Sequence, residues 1–507
     1  MNLLKTNTLL IALNVLFRII GFSKSIQLIT TKDRYPTIVL HINNNYRHHH
    51  RYATKGTEKK TNSVDENRKN ENLEKAKNSI QNNHRLVRLY HFNHQHSNQD
   101  QYQLRLIDHN SKFNQFRTMK VSKLDRSDSI LKMDNFRYIF TPSSDGTVKI
   151  SFISIDPKSN HSLYNKIYSN ENFSTFFIVT FCTIADAVYI YGLIEGQMII
   201  SPFNVFDKGF LNCESHLERT NKSMILHQIT NLNNSKHFKY LFDRISQNYP
   251  LISLNSKQSR IEPEINLLID SWMFDSNRRN LEVSWRYGLI FLHLLDCLFF
   301  RSIRLMNNHL RLQFAMKTIT IHTRPLEFQR SKLSLNGNLS SNKSKLMNAM
   351  LALDGFGRWL YDHNKDEKNQ PDLTLILTGQ DLCLARDVRM KYSCLHSSIK
   401  GQSIIAGACV NRPETDNRSL NVALIEDYAD FDGLFSAAHE IGHLFGAVHD
   451  GEWPINHLMG PGARNCPNQI ESIMNAKKRG TFWSNCSLEQ FEYFIQKSQS
   501  HCLHQKN

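Results

Sequence analysis

The amino-acid sequence predicts an α/β fold for residues 261–507 and a β-rich segment before it. Short runs rich in β-branched and aromatic residues recur between residues 136 and 200, as strands do. From Glu264 onward, strand patterns alternate with helical patterns, which is typical of α/β domains. Near the C-terminus, two histidines four residues apart lie in a segment with helical periodicity.

The first 260 residues divide by composition into three segments. Residues 1–25 carry an apolar run followed by small residues and resemble a secretory signal peptide, with a signal anchor as the alternative. Residues 26–120 are polar, and 55–103 are predicted to be disordered or poorly packed. Residues 121–260 are predicted to be a β-rich domain. Its predicted strands are 138–140, 148–152, 176–181, 187–193 and 197–200.

Strands and helices alternate along residues 261–507 in the prediction. The predicted strands are 264–270, 310–322, 372–378, 403–410 and 419–425. The predicted helices are 280–301, 344–363, 432–445 and 487–498. Ser487 is predicted to be the N-cap of the last helix, with Gln490 completing a capping box.

The most specific motif, H-E-x-x-H-x-x-G-x-x-H-D, begins at His439 and is called the histidine motif below. His439 and His443 share one helix face, so both imidazoles can bind one metal ion. Gly446 can end the helix in a left-handed turn that returns His449 as a third ligand. Glu440 lies beside the first ligand without filling a coordination position, so it can take a proton from metal-bound water. This arrangement indicates zinc-dependent hydrolysis of a peptide bond.

The histidine motif resembles that of the metzincin metalloproteases. Asp450 after the third histidine resembles the mark of the reprolysin branch, which holds the ADAM, ADAMTS and venom proteases; a solvated loop carboxylate is the alternative. Met474 resembles the methionine turn that packs beneath the histidines. The resemblance covers 261–503 and implies a mixed, mostly parallel sheet with a zinc cleft, behind a β-rich prodomain. It also implies a secreted zinc metalloendopeptidase made as a latent proenzyme.

Cysteine usage favours an extracellular domain, because six of the nine cysteines lie between residues 383 and 502. The resemblance implies the disulfides Cys409–Cys502, Cys466–Cys486 and Cys383–Cys394. Cys297 is predicted to be a buried thiol. The resemblance further implies a prodomain thiolate held against zinc, for which Cys182 and Cys213 are the candidates, and a disulfide between them is the alternative.

The resemblance also implies two further sites. Glu264, Asp372, the carbonyl of Cys502 and the side chain of Gln505 match a structural calcium site, with solvated strand-end carboxylates as the alternative for the two acids. A peptide substrate is expected to pair with the edge strand before the motif helix, predicted at 404–408.

The net charge of +16 limits the expected partners. The basic residues are dispersed and no nucleic-acid motif accompanies them, so we expect protein substrates and no nucleic acid. The basic surface is either simply solvated or binds anionic glycans. No run after the N-terminal one is long and apolar enough for stable membrane insertion.

Other sequence signals concern processing, secretion and the alternative functions. A processing site is predicted at 257–260, and a lone Arg in a linker is the alternative. Sequons that support a secretory route occur at Asn160, Asn172, Asn221, Asn233, Asn338, Asn342, Asn417 and Asn485. The alternative function is a zinc-stabilised secreted protein that binds glycans or proteins without turnover. A weaker alternative is a permanently latent protein.

Overall fold

The computed structural model describes part of the chain. The described residues are 37–43, 84–90, 101–108, 116–124, 129–156, 163–170, 173–182, 187–202, 226–232, 241–242, 259–301, 310–330, 346–363, 370–384, 399–411, 416–454, 460–467, 471–476 and 480–504. They form an N-terminal module (37–242) and a C-terminal module (259–504).

The N-terminal module is made of strands. They are β1 (Thr37–Asn43), β2 (His84–Tyr90), β3 (Gln101–Asp108), β4 (Phe116–Lys123), β5 (Phe136–Pro142), β6 (Thr147–Ser154), β7 (Leu163–Ser169), β8 (Phe176–Cys182), β9 (Ala187–Ile194), β10 (Met198–Pro202) and β11 (Leu226–Asn231). Within the described residues, nine of them pair in a closed ring, in the order β7-β4-β3-β1-β2-β11-β10-β9-β8 and back to β7. The β5–β6 hairpin lies beside this ring, where β5 also pairs with β7.

Four strands of the ring come from a segment where none was predicted. β1 to β3 lie within residues 26–120 and β4 begins there, and the prediction of disorder for 55–103 is wrong for β2 and the start of β3. These strands pair among themselves, and two of them also pair with strands far along the chain, β2 with β11 and β4 with β7. The distant pairings are not visible in local composition.

The C-terminal module alternates strands and helices, as expected. Its strands are β12 (Ser259–Ile261), β13 (Glu264–Ile269), β14 (Leu310–Leu312), β15 (Ala315–His322), β16 (Leu346–Asn348), β17 (Leu373–Thr378), β18 (Asp381–Cys383), β19 (Gly401–Ser403) and β20 (Val422–Glu426). Its helices are α1 (Ser271–Ser276), α2 (Leu281–Asp296), α3 (Glu327–Arg330), α4 (Ala349–His363), α5 (Leu434–Leu444) and α6 (Asn485–Ile495). A π-helical turn, Cys297–Arg301, follows α2, and a 3-10 helix, Ser498–Leu503, follows α6.

The main sheet of this module is mixed and mostly parallel. Its order is β19-β20-β17-β13-β15, and only β19 runs antiparallel to its neighbour. The α/β prediction is therefore confirmed. The predicted processing site ends inside β12, which pairs with β14.

Several predicted boundaries in the C-terminal module are wrong, among them the strand predicted at 403–410, of which only Ser403 lies in a strand, β19. The strand predicted at 310–322 breaks at Phe314, whose backbone N–H donates to the carboxylate of Asp296 at 2.7 Å. The helix predicted at 344–363 begins only at Ala349, after β16. The last helix begins at Asn485, because Ser484 and not Ser487 is its N-cap.

The two modules share one sheet and one core. β6 pairs antiparallel with β15, at the opposite edge of the main sheet from β19. Helix α2 lies between the modules and is buried along most of its length. A single hydrophobic cluster includes Phe136 and Phe176 of the N-terminal module and Trp285 and Leu289 of α2. The modules therefore pack as parts of one hydrophobic core.

No helix in the described ranges has both the length and the apolar character needed to cross a bilayer. The predicted signal segment, 1–25, lies outside the described residues.

Candidate metal centre

Three imidazoles converge at the end of helix α5. The Nε2 atom of His449 lies 3.2 Å from the Nε2 atoms of both His439 and His443. Ligand nitrogens about 2.0–2.1 Å from a tetrahedral zinc ion are about 3.3 Å apart. Among the described residues, these three histidines form the group of side chains able to hold a metal ion. The nitrogens are thus spaced as zinc requires.

The Nδ1 atoms on the far side of two rings fix the protonation of those rings. His439 Nδ1 lies 2.7 Å from the carbonyl oxygen of Ile473, and His443 Nδ1 lies 2.7 Å from that of Ala447. A carbonyl oxygen only accepts, so each Nδ1 carries the proton and each Nε2 carries a lone pair. Lone pairs that face one another at this distance repel unless a cation lies between them. The donor set therefore fits a metal ion.

Burial keeps the central ligand neutral. It lowers the pKa of His443 well below the usual value, and the adjacent imidazoles of His439 and His449 lower it further. Neutral imidazole is the form that binds a metal. His443 is therefore available as a ligand at neutral pH.

The turn after α5 returns the third histidine, as the glycine predicts. Gly446 has a positive φ of 84°, and the N–H of Ala447 donates to the carbonyl of Gly442 at 3.0 Å. A left-handed residue at this place is favourable for glycine and strained for others. The geometry explains how a helix and the loop after it present three rings to one point.

Glu440 is buried beside the histidines and contacts the edge strand. Its carboxylate accepts a hydrogen bond from the Ser403 hydroxyl at 2.6 Å. A Cβ on Gly401 would lie 2.7 Å from Glu440 Cγ, so glycine leaves room for this side chain. Sequence reasoning missed both β19 residues, because contact with the motif arises only through the fold.

The segment predicted as the substrate-pairing strand, 404–408, is not a strand. The N–H groups of Ala406 and Ala408 donate to the carbonyls of His443 and Leu444, at 2.8 Å and 3.2 Å. These bonds satisfy carbonyls left over at the end of α5. The edge strand is instead β19, three residues long and just before this segment.

Met474 lies directly beneath α5. It is fully buried, and a Cβ on Gly442 would lie 2.6 Å from its Sδ. Its position agrees with packing below the histidines. Gly442 is a residue whose role was not predicted, since close approach to the sulfur requires the absence of a side chain.

Asp450 is buried, so the solvated-loop alternative for it is wrong. Its carboxylate accepts hydrogen bonds from the hydroxyls of Ser472 and Ser484, the latter at 2.7 Å. Its backbone N–H donates to the carbonyl of Met474 at 3.0 Å. Asp450 therefore links the histidine motif, the methionine segment and the start of α6.

Several cysteines are paired in the structure. Cys409–Cys502 and Cys466–Cys486 are both present as implied by the resemblance. Cys182 and Cys383 are also disulfide-bonded, and Cys213 and Cys394 lie outside the described residues. Cys297 keeps a buried thiol, with its Sγ 3.8 Å from His293 Nε2.

The predicted calcium ligands come together only in part. The N–H of Glu264 donates to the Asp372 carboxylate at 2.9 Å, and Cys409, bonded to Cys502, donates to the Asp372 carbonyl at 3.2 Å. The Glu264 carboxylate lies 3.1 Å from the ammonium of Lys317. Gln505 lies outside the described residues.

Comparisons with known proteins agree with this site. A family model described as "Metallo-peptidase family M12", of the reprolysin type, matches residues 296–489. "A disintegrin and metalloproteinase with thrombospondin motifs like" from Bombyx mori is 34% identical over 160 residues, which are 30% of this chain and 22% of that protein. "Venom metalloproteinase 3" from Eulophus pennicornis is 24% identical over 266 residues, 51% of this chain and 55% of that protein. The matched regions thus span about a fifth and about half of these relatives' own lengths.

A solved structure of archaemetzincin from Methanopyrus kandleri also matches, over 46% of this chain and 97% of that one. The identity is 13% and the TM-score 0.23, too low to support an argument about fold.

The α/β sheet, the three convergent histidines and the family match define a metzincin-type metalloprotease domain. Within that class, residues 296–489 are similar to the reprolysin type and to an ADAMTS-like relative, in agreement with the resemblance seen in the sequence.

Proposed function

We propose that this chain is a secreted zinc metalloendopeptidase that cleaves protein substrates and is made as a latent proenzyme. The observation that carries the proposal is the convergence of three histidine Nε2 atoms beside the buried carboxylate of Glu440. His439, His443 and His449 would hold the zinc ion. When bound, zinc supplies Lewis acidity, which activates water and polarises the scissile carbonyl.

Glu440 is the general base of the proposed reaction. Its carboxylate takes the proton of the attacking water and later donates it to the leaving amine. Ser403 holds one carboxylate oxygen through its hydroxyl, at 2.6 Å, and so fixes the direction of that group. The Ser403 hydroxyl also lies 3.0 Å from the backbone carbonyl oxygen of Glu440, and this contact keeps β19 close to α5.

The substrate is expected to bind at β19. This strand ends the sheet order in the described part of the chain, and it pairs with β20 on one side only. An extended peptide can add to such an edge through main-chain hydrogen bonds. Its scissile bond would then lie near Glu440, since Gly401 and Ser403 both approach that side chain.

Secretion and latency stay predictions. Disulfides among the described cysteines support an oxidising compartment, and one relative is named a venom protein. For latency, the disulfide of Cys182 removes that residue as a thiolate ligand for zinc. Within the described residues, the N-terminal module pairs with the main sheet at β15. This is the opposite edge from β19, where the substrate is expected to bind.

Calcium binding also stays a prediction. Asp372 is buried between the start of β13 and the Cys409–Cys502 disulfide, which supports a structural role near the chain ends. The contact of Glu264 with Lys317 argues against a calcium role for Glu264, because the ammonium already compensates the carboxylate. Binding of anionic glycans has no further support in the structure.

The decisive experiment replaces the proposed base. We expect Glu440→Ala to keep zinc and to lose peptide hydrolysis by about 10²–10⁴-fold, the usual contribution of a general base. Cleavage of a protein substrate by the purified chain, before and after processing, would be measured with and without a zinc chelator. Glu489→Ala, an exposed glutamate on α6, is the matched control and should stay active. Full activity of the Glu440 variant, or of the chelated protein, would contradict the proposal.

A further inference from the structure

The three candidate ligands differ in the group that faces the Nδ1 atom of each ring. His439 and His443 face backbone carbonyls, which no side-chain substitution removes. His449 Nδ1 instead lies 3.1 Å from a carboxylate oxygen of Glu452. His449 is also more exposed than His443, with 28% of its side chain accessible to solvent. The third ring therefore depends on a side chain that can be changed.

Glu452 contacts His449 twice. One carboxylate oxygen faces the ring Nδ1, and the other accepts from the His449 backbone N–H at 3.3 Å. A carboxylate accepts but cannot donate, so this contact places the ring proton on Nδ1 and leaves the lone pair on Nε2. The same protonation pattern is imposed on the other two rings by their carbonyls.

The turn that carries both residues is fixed by its backbone. The Glu452 N–H donates to the His449 carbonyl at 3.0 Å, and the Glu452 carbonyl accepts from Ala463 at 2.9 Å. Gly451 donates to the Ala463 carbonyl at 2.8 Å, and Cys466, in its disulfide with Cys486, donates to the same oxygen at 3.0 Å. The loss of the Glu452 side chain should therefore leave the turn in place.

We propose that Glu452 is a positioning residue that orients His449 as the third zinc ligand. The inference rests on the proposed function, because it assumes that the histidines bind zinc. Half of the Glu452 side chain is exposed, so solvent screens its charge, and the effect acts mainly through the hydrogen bond to Nδ1. Loss of such an outer partner usually weakens metal binding by about 10–100-fold.

The test compares zinc binding by the full chain with Glu452→Ala, Glu452→Gln and the control Glu489→Ala. Zinc affinity is measured by competition with a chromophoric chelator. The absorption spectrum of the cobalt-substituted protein reports ligand geometry, and the Tm of the metal-free protein reports stability. Glu452→Ala should bind zinc about 10–100-fold more weakly and change the cobalt spectrum. Glu452→Gln should recover much of the affinity, because its amide oxygen still accepts from Nδ1.

Each outcome decides the proposal. Glu452→Ala with the zinc affinity and cobalt spectrum of the wild type would overturn it. A lower Tm of metal-free Glu452→Ala that accounts for the weaker binding would also overturn it, because the role would then be structural. Equal losses in Glu452→Gln and Glu452→Ala would exclude the hydrogen bond as the cause. Wild-type protein that binds no zinc would overturn the proposed function, and this inference with it.

Discussion

Asp450 is a single residue that holds together the segments beside the candidate metal centre. Its carboxylate binds two serine hydroxyls, from Ser472 and Ser484, and is almost fully buried. A buried carboxylate that accepts several hydrogen bonds is stable only while its donors stay in place. The residue after the third histidine thus joins the methionine segment to α6, without touching the ligand nitrogens.

The candidate ligands could be predicted from sequence because their spacing follows helix geometry. His439 and His443 lie four residues apart on α5, and Gly446 ends the helix. By contrast, Ser403 reaches Glu440 across 37 residues, and no local pattern predicts such a contact. Glu452 lies only three residues from His449, yet its role depends on a turn conformation that its sequence leaves open.

At the same scale, buried His322 predicts a loss of stability in acid. Burial lowers the pKa of His322 to about 4, and its Nε2 has no hydrogen-bond partner in the described part of the chain. The unfolded chain, with a pKa near 6.5, binds a proton that the folded state refuses. Stability from this residue is therefore complete above about pH 6.5 and is lost as the pH falls through about 4, by about 3 kcal/mol in total.

The measurement is the free energy of unfolding in urea between about pH 4 and 6.5. His322→Phe should flatten the decline, because phenylalanine can keep the edge-to-face contact with Trp359 and does not titrate. His501→Gln, at an exposed position, should leave the decline unchanged. An equally steep decline in His322→Phe would show that another group is responsible.

Among the elements of the described residues, helix α2 carries a buried ion pair. Glu282 and Arg286 form a fully buried ion pair one turn apart. The hydroxyl of Tyr138 donates to the Glu282 carboxylate at 2.8 Å, and Arg286 donates to the Thr180 hydroxyl at 3.1 Å. Both outer partners belong to the N-terminal module. The ion pair is therefore satisfied only while the two modules are together.

We expect Arg286→Met to destabilise the protein by about 3–5 kcal/mol, because it leaves the Glu282 carboxylate buried without its cation. Arg358→Met is the matched control, since Arg358 pairs with Asp354 at the same spacing on α4 but is exposed. That change should cost about 1 kcal/mol or less. Chemical unfolding of both variants checks the difference, and similar losses would mean that the buried pair has no special role.

Elements with strong local periodicity could be predicted, and those shaped by distant partners could not. α2, α4 and α5 each have an apolar face that the sequence displays directly. The segment 404–408 is apolar too, but the end of α5 draws its N–H groups away from the sheet. β1 to β4 lie in a polar stretch of sequence, and the ring that includes them closes through pairings with distant strands, such as β2 with β11 and β4 with β7.

On the scale of the whole molecule, the two modules pack together as one compact unit. They share the hydrophobic cluster around α2, and His293 of α2 stacks on Phe176 with ring centroids 3.9 Å apart. Lys132 of the N-terminal module and Glu262 of the C-terminal module form an ion pair, with the ammonium 2.8 Å from the carboxylate. Separation would expose apolar surface and leave buried polar groups without partners.

Cleavage between the modules should therefore leave them associated. A specific protease site placed within residues 243–258 would allow cleavage of the purified chain. We expect the two fragments to co-elute from a sizing column in native buffer and to separate in denaturant with reductant, because the contacts between the described residues of the two modules are extensive. A C-terminal fragment that elutes alone, folded and active, would contradict this prediction.

The pairing of β6 with β15 has a consequence for solubility. β15 is the side of the main sheet that would end in unpaired N–H and C=O groups if the hairpin were absent. Exposed strand edges of this kind recruit other chains into aggregates. The N-terminal module thus protects the edge strand β15 by pairing with it through β6. A cell that released the C-terminal module alone would therefore release a protein prone to aggregation.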